Sequence, residues 1–412
     1  MLQISQDFAP PFKLILPYFL VGGLFYILSS IFLFFITPAD LAIAHPKILA
    51  FVHFFLLGFV MMIIFGAMAQ LVPVVLEVGH FGVELFYAIW PLLLVGTLMM
   101  ALGFILYPTL LPFGGMVVLI AFLIFIAEIF LTLRKVSSLT SVMSSILIAN
   151  IFLLFGIIFG LVMALGYAGL IDLNILTFLK SHIFAVVGGY VFITLMGLSV
   201  VLLPMFGLSH GFSKKPLTTA MALMSASVVF IFLHMLSGVV IFEYASYALG
   251  VVSLTIYYNL VASIYKTRAR KEIDIYAKSL IFAYHSMVLA ILFALSYAFG
   301  ASERFMLASG WLLFFGLFGF AITGHMYKIV PFLVWFERFS PLVGKQKVPM
   351  LADMLPSKSS HAQLHFGIAG VVLVTIGILT SEDQFLKAGA SFLLISSIAF
   401  FRTIYYMVNF KI

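Results

Sequence analysis

The sequence predicts an all-α integral membrane protein with about twelve transmembrane helices, and three observations support this. The chain is 64% hydrophobic and only 8% charged, whereas a soluble domain carries about 25% charged residues. Apolar runs recur from end to end, and each reaches the roughly 20 residues that cross the hydrocarbon core of a bilayer. The runs are continuous rather than alternating, which excludes a membrane β-barrel. The chain therefore has the lipid bilayer as its main solvent.

Twelve helices follow from these runs, and the connections between them are short. The predicted bounds are 14–36, 48–74, 84–106, 113–133, 141–168, 177–206, 217–241, 244–265, 277–300, 305–335, 362–381 and 385–409. The longest polar stretch runs from Phe336 to Gln363. We therefore expect one membrane domain over residues 1–412 and no separate soluble domain.

Basic residues are concentrated in the connections that follow even-numbered helices. These residues are Arg134, Lys135, Lys214, Lys215, Lys266, Arg268, Arg270, Lys271, Arg338, Lys345, Lys347 and Lys358. Connections after odd-numbered helices hold only Lys47, Lys180 and Arg304, together with acidic residues. Because basic loops stay on the cytoplasmic side, we expect both termini in the cytoplasm and the protein in a bacterial inner membrane. The net charge of +7 is then explained by the basic loops that set the orientation of the protein in the membrane. No nucleic acid partner is expected.

The chain contains no cysteine. This excludes disulfides, covalent c-type haem attachment, Cys-ligated iron–sulfur clusters and thiolate copper centres within the chain. Histidine, the commonest metal ligand in proteins, is then the main candidate for binding a metal or haem.

Glycine and proline mark an internal repeat. Three pairs of glycines lie eight residues apart, and a proline follows each pair after seven residues: Gly58, Gly66 and Pro73; Gly189, Gly197 and Pro204; Gly316, Gly324 and Pro331. The first glycines are separated by 131 residues (189 minus 58) and 127 residues (316 minus 189), and each step holds four predicted helices. The sequence therefore predicts three pseudo-symmetric four-helix repeats over 14–134, 141–266 and 277–409.

The physical meaning of the repeated pattern is close helix packing. Small residues let helix backbones approach one another in lipid, and a proline seven residues later loosens the same helix locally. The pattern is compatible with packing alone and also with a functional architecture built around three equivalent helices.

The three segments that carry the pattern resemble a known superfamily. His53 to Pro73, Ser181 to Pro204 and Gly324 to Trp335 are similar to the equivalent segments of the haem-copper oxidase and nitric oxide reductase superfamily. They are more similar still to its divergent twelve-helix relatives, including the NnrS-type membrane proteins. The resemblance covers the whole chain in topology, but its specific motifs are confined to these segments. It implies a fold like haem-copper oxidase subunit I, with pseudo-threefold symmetry.

In that superfamily, neutral imidazoles hold the cofactors inside the membrane. The resemblance implies a low-spin haem bound from helices 2 and 10, a high-spin haem on helix 10, and a copper or iron held by helices 6 and 7. His53 matches the helix 2 ligand, and His182 and His234 lie where the metal would be. Helix 7 lacks an adjacent histidine pair, however, and Trp311 stands in helix 10 at the position that corresponds to His53. Since tryptophan does not ligate iron, we do not expect a complete haem–haem–copper centre.

Two further histidines are candidate metal ligands in the inner half of the membrane. His285 on helix 9 and His325 on helix 10 are predicted at similar depths. An ionisable side chain within a span is a functional hypothesis by default. The alternative for each is a hydrogen bond to a neighbouring helix.

Two hypotheses about function remain open, beside a third and less favoured one. The third is an ordinary secondary transporter, for which inverted repeats would be expected rather than three parallel copies. In the first, the protein is a divergent haem-copper-like membrane protein that binds haem b, copper or iron through His53, His182 and His234. It would take part in respiratory electron transfer or in nitric oxide or oxygen chemistry, beside other respiratory subunits or a cytochrome. In the second, it is a cofactor-free relative that keeps the scaffold for metal homeostasis, assembly or transport. Whether it is an oxidoreductase stays open because the ligand set is incomplete, and no catalytic residue is assigned.

Overall fold

The computed structural model describes residues 8–411, and this part of the chain is all-helical. Twelve of its helices are long and apolar enough to cross a membrane, so the protein is a multi-pass helical membrane protein. We label these spans α1 to α12: Phe12–Phe35, Pro46–Leu76, Val83–Ile105, Pro108–Leu133, Ser141–Tyr167, Ile175–Gly207, Lys215–Ser237, Val240–Lys266, Ile275–Ala298, Glu303–Arg338, Ser357–Thr380 and Asp383–Val408. The predicted all-helical fold with twelve spans is confirmed.

The predicted bounds differ most from the observed ones where a short turn joins a span. α4 begins at Pro108 rather than at 113, because a single helical turn leads directly into it. α11 begins at Ser357 rather than at 362, because Pro356 sets its first turn in a polar stretch. α7 ends at Ser237 rather than at 241, because Gly238 takes a left-handed conformation with φ of 70°.

The chain packs as two compact units. The first contains Leu71–Met99 and Tyr107–Glu272, and so most of α3 through α8. The second contains Pro10–Gln70, Met100–Leu106 and the chain from Ile273 onward, and so α1, most of α2, and α9 through α12. Each unit buries an apolar core of its own, and each is described separately below.

The three longest spans, α2, α6 and α10, share an interruption of their helical geometry. They have 31, 33 and 36 residues, and each contains a π-helical segment, at Leu56–Met61, Phe184–Phe192 and Leu312–Gly319. Each segment ends three residues after the first glycine of its pair (61 minus 58, 192 minus 189, 319 minus 316). An internal proline follows in all three spans. The backbone is therefore irregular at the same place in three spans.

The glycine pairs of these spans pack on the span that precedes each of them. The partners are Phe25 and Tyr18 for Gly58 and Gly66, Phe152 and Ser145 for Gly189 and Gly197, and Ser286 and Ser279 for Gly316 and Gly324. In all three cases the two partners are seven residues apart (25 minus 18, 152 minus 145, 286 minus 279), which is about two helical turns. The same close approach thus occurs three times along the chain. The grouping into three repeats with the symmetry of the resembled superfamily stays a prediction.

Candidate functional sites in the spans

His53 lies in the first, α-helical part of α2. Its Nδ1 is 2.8 Å from the carbonyl oxygen of Leu49, one turn earlier, and its ring lies 5.0 Å from that of Phe104. A hydrogen bond from Nδ1–H to a backbone carbonyl makes Nε2 the acceptor nitrogen, which is the tautomer found in many haem- and metal-binding histidines. The tautomer is therefore suitable for a ligand.

The direction of the His53 side chain does not suit a haem shared with α10. Phe51 and Phe55 form the face of α2 that packs on α10, where the ring of Phe55 lies 3.9 Å from that of Phe315 and the ring of Phe51 lies 6.2 Å from that of Trp311. Because each helical residue turns by about 100°, His53 lies roughly opposite both phenylalanines. A haem bound by His53 and shared with α10 does not fit this arrangement.

Trp311 is itself part of the packing that closes this face. Its ring lies 4.3 Å from that of Phe315, and its indole N–H donates to the carbonyl oxygen of Val371 at 3.1 Å. It is buried, as are Phe51, Phe55 and Phe315. We call these four rings, of Phe51, Phe55, Trp311 and Phe315, the aromatic closure. It fills the contact between α2 and α10 with side chains that offer iron no ligand.

His182 is held by the first part of α6 against α5. Its Nδ1 lies 2.7 Å from the carbonyl oxygen of Gly156. A Cβ added at Gly160 would lie 3.0 Å from the ring atom Cε1 of His182, so the imidazole occupies the space that a glycine leaves on α5. The contact is a hydrogen bond between His182 and the neighbouring helix α5.

His234 belongs to an ionic cluster that joins α6, α7 and α8. Its Nε2 lies 3.1 Å from Oε2 of Glu243, and its Nδ1 lies 3.2 Å from the carbonyl oxygen of Val239. Oε1 of Glu243 also accepts from the ammonium of Lys180 and from the hydroxyl of Tyr247, both at 2.5 Å. Each ring nitrogen of His234 thus already lies beside an oxygen atom of a neighbouring residue.

His285 and His325 have different surroundings in the second unit. His285 is exposed on α9, where its Nδ1 lies 2.7 Å from the carbonyl oxygen of Ile281. His325 packs between helices: its Nδ1 lies 2.7 Å from the carbonyl oxygen of Ala321, and its Nε2 lies 3.4 Å from the hydroxyl of Tyr276. The structure thus directs one imidazole outward and the other toward α9.

The candidate ligands do not form a larger metal group. Among residues 8–411, no three His, Asp or Glu side chains lie close enough together to hold a metal ion. Metal binding through His182, His234, His285 or His325, and haem binding through His53, therefore stay predictions.

An imidazole–carboxylate pair that the sequence did not single out lies in the first unit. Nδ1 of His80, in the connection between α2 and α3, is 2.8 Å from Oε1 of Glu128 on α4. The side chains are 3% and 0% exposed. The same Oε1 accepts from the hydroxyl of Thr132 at 2.7 Å and from the backbone N–H of Phe81 at 3.1 Å. The two residues are separated by 48 positions, so no local spacing could have linked them.

A carboxylate of the α1–α2 connection is held by neighbours on its own segment. Oδ2 of Asp40 accepts from the backbone N–H and the hydroxyl of Thr37 at 2.8 and 2.9 Å, and from the ammonium of Lys47 at 3.0 Å. Burial raises the pKa of Asp40, but these hydrogen bonds and the charge of Lys47 outweigh it, so the pKa lies below its ordinary value. This carboxylate is a fixed, structural anion.

Comparison with other proteins adds no family to this description. No protein-family model matches the chain, and no curated protein is found as a relative. The class of the protein, a helical membrane protein with twelve spans, therefore rests on its sequence and structure alone.

Proposed function

We propose that the protein is a transport protein of the lipid bilayer that works without a haem between α2 and α10. It corresponds to the second hypothesis from the sequence, a cofactor-free relative built on three like helix quartets. The observation that carries the proposal is the π-helical interruption at the same position of α2, α6 and α10.

Interrupted spans are a feature of transport proteins. An isolated π-helical turn breaks the regular hydrogen-bond ladder and often occurs at functional sites, and many transporters bind their substrates where spanning helices are discontinuous. In this chain each π-helical segment is followed by a proline in the same span, which weakens the ladder a second time. We infer that each of the three spans bends or opens at its own π-helical segment.

The first test concerns the cofactor. The purified, detergent-solubilised protein is expected to show no Soret absorption and no stoichiometric iron or copper. A Soret band would overturn the cofactor-free proposal. It would support the second candidate, a haem-binding redox protein, which is favoured by the tautomer of His53. A bound haem b would supply one-electron chemistry with nitric oxide or oxygen. His53→Ala should then remove the band, whereas His285→Ala, which removes an exposed histidine with the same local hydrogen bond, should keep it.

The second test concerns transport itself. Proteoliposomes on a solid-supported membrane report charge movement when the pH or the Na⁺ or K⁺ concentration is changed abruptly. We expect a transient current in response to at least one of these changes, and none from protein-free liposomes. If the protein is colourless and gives no current with any of the three ions, ion-coupled transport is refuted.

A further inference from the structure

Glu128 differs from Asp40, the other buried carboxylate, in the positive charge beside it. Among residues 8–411, only Asp40 and Glu128 are carboxylates with buried side chains. Asp40 has the ammonium of Lys47 at 3.0 Å. In the described part of the chain, the ion-pair partner of Glu128 is the imidazole of His80, which carries a charge only when it is doubly protonated.

The two oxygens of Glu128 have very different surroundings. Oε1 is the acceptor for His80, Phe81 and Thr132, whereas Oε2 is buried and has no hydrogen-bond partner in the described part of the chain. A buried, ionised carboxylate needs hydrogen-bond donors at both oxygens to offset the loss of water. The site therefore satisfies one oxygen of a carboxylic acid, and it leaves the other as the position where a proton would sit.

Among residues 8–411, the charged groups around the pair do not supply a contact to Oε2. The ammonium of Lys135 donates to the carbonyl oxygens of Gly79 and His80, at 3.0 and 2.8 Å, so it holds the connection rather than the carboxylate. The ring of Phe86 packs on the imidazole of His80 from α3. Glu77 and Glu84, the other titratable groups of this connection, are exposed.

We propose that Glu128 is a proton-binding site and that the proton is the coupling ion of the transport function proposed above. One proton from solvent forms an O–H bond at Oε2, and the charge of the carboxyl group changes from −1 to 0 with no electron transferred. Oε1 stays a hydrogen-bond acceptor in both states, because a carboxylic acid keeps its carbonyl oxygen as an acceptor. Loading and unloading of the site thus change its charge while Oε1 keeps its role as acceptor.

Infrared spectroscopy tests the site directly. The full-length protein in detergent is expected to show the C=O stretch of a buried carboxylic acid, which grows as the pH is lowered and shifts when the glutamates are labelled with ¹³C. The band should be lost in Glu128→Gln, in which the amide keeps an acceptor at the position of Oε1. It should persist in Glu84→Gln, an exposed carboxylate of the same connection. A band that survives in Glu128→Gln would overturn the proposal.

Current measurements separate this inference from the function on which it rests. In proteoliposomes, the current after a pH change should fall at least tenfold in Glu128→Gln and be unchanged in Glu84→Gln. If the wild-type current is present and Glu128→Gln leaves it unchanged, the site is refuted while transport stands. If the infrared band belongs to Glu128 but no current is seen, transport is refuted while the proton site stands.

Two controls keep the result interpretable. Equal elution of the wild type and Glu128→Gln in size-exclusion chromatography shows that the variant is folded. The carboxylic-acid band of the wild type does not depend on the folding of any variant. If this band is absent from the wild type at every pH, the proposal is overturned. Thermal stabilisation by Na⁺ or K⁺ that is lost in Glu128→Gln, without a carboxylic-acid band, would assign the site to a metal cation instead and would also overturn it.

Discussion

The contact between Gly197 on α6 and Ser145 on α5 gives the sharpest test of the glycine packing. A Cβ added at Gly197 would lie 2.5 Å from Cβ of Ser145 and would overlap its hydroxyl. A methyl group at Gly188 in the same span would meet Sδ of Met224 at 3.4 Å, an ordinary contact. Gly197→Ala should therefore be less stable than Gly188→Ala by about 1–3 kcal/mol, the usual cost of overpacking a tight contact. Comparing the two alanine variants cancels most of the intrinsic preference of alanine for helix.

A compensating substitution makes this prediction specific to one pair of residues. Ser145→Gly removes the atoms that the new methyl group meets, at an intrinsic helix cost of about 1 kcal/mol and with loss of a local bond to the carbonyl oxygen of Val142. The double variant should regain most of the stability lost in Gly197→Ala, with a coupling of about 1–3 kcal/mol. Unfolding by SDS in mixed micelles measures all four free energies. Equal stability of Gly197→Ala and Gly188→Ala, or a double variant without recovery, would refute the packing argument.

Three further predictions concern the charges and rings described above. Lys47→Met should raise the pKa of Asp40. A lowered pKa stabilises the fold fully above the unfolded value of about 3.9, and this effect is lost as the pH falls through the folded value. The variant should therefore lose stability at neutral pH and differ little from wild type once the pH is below the folded pKa of Asp40, as thermal unfolding against pH will show. Phe315→Ala should lower the free energy of unfolding by about 3–5 kcal/mol, because its ring packs on those of Phe55 and Trp311; SDS unfolding measures this, and an unchanged stability would contradict the packing of the aromatic closure. The single variant Lys180→Met should be less stable than the double variant Lys180→Met/Glu243→Gln, because the single change leaves the partly buried carboxylate of Glu243 without its strongest partner. A double-mutant cycle that shows no coupling between the two residues would refute this.

The number and type of helices could be predicted because they depend on hydrophobicity along the chain. A span needs about 20 apolar residues whatever its neighbours are. The glycine pairs predicted that α2, α6 and α10 approach other helices closely. The π-helical segments were not predicted, since no residue type is required for a π-helical turn. Only their position, next to the first glycine of each pair, connects them to the sequence pattern.

The sites were harder to predict because they depend on the direction of side chains. His53 was correctly placed in α2, but whether it faces α10 or Phe104 follows from the rotation of the helix, which the sequence does not specify. His234 was considered as a metal ligand without regard to Glu243, although nine residues (243 minus 234) across the short α7–α8 turn place the two at the same level. The acidic residue after that turn was a usable signal. His80 and Glu128 offered none, since one lies in a connection and the other near the end of a span.

The two ionic sites of the first unit differ in a way that bears on which of them can exchange a proton. Glu243 has both oxygens engaged, by Lys180 and Tyr247 on one side and His234 on the other, so adding a proton there would break existing contacts. Within the described residues, Glu128 has one oxygen engaged and one without a hydrogen-bond partner, so a proton added at Oε2 displaces no contact of that oxygen. Exchange costs least where the two charge states share the same contacts, because no side chain has to reorganise between them. The contacts of Glu243 therefore suit a role in holding helices together, whereas the proton site that we propose is Glu128, whose contacts in the described residues are on one oxygen.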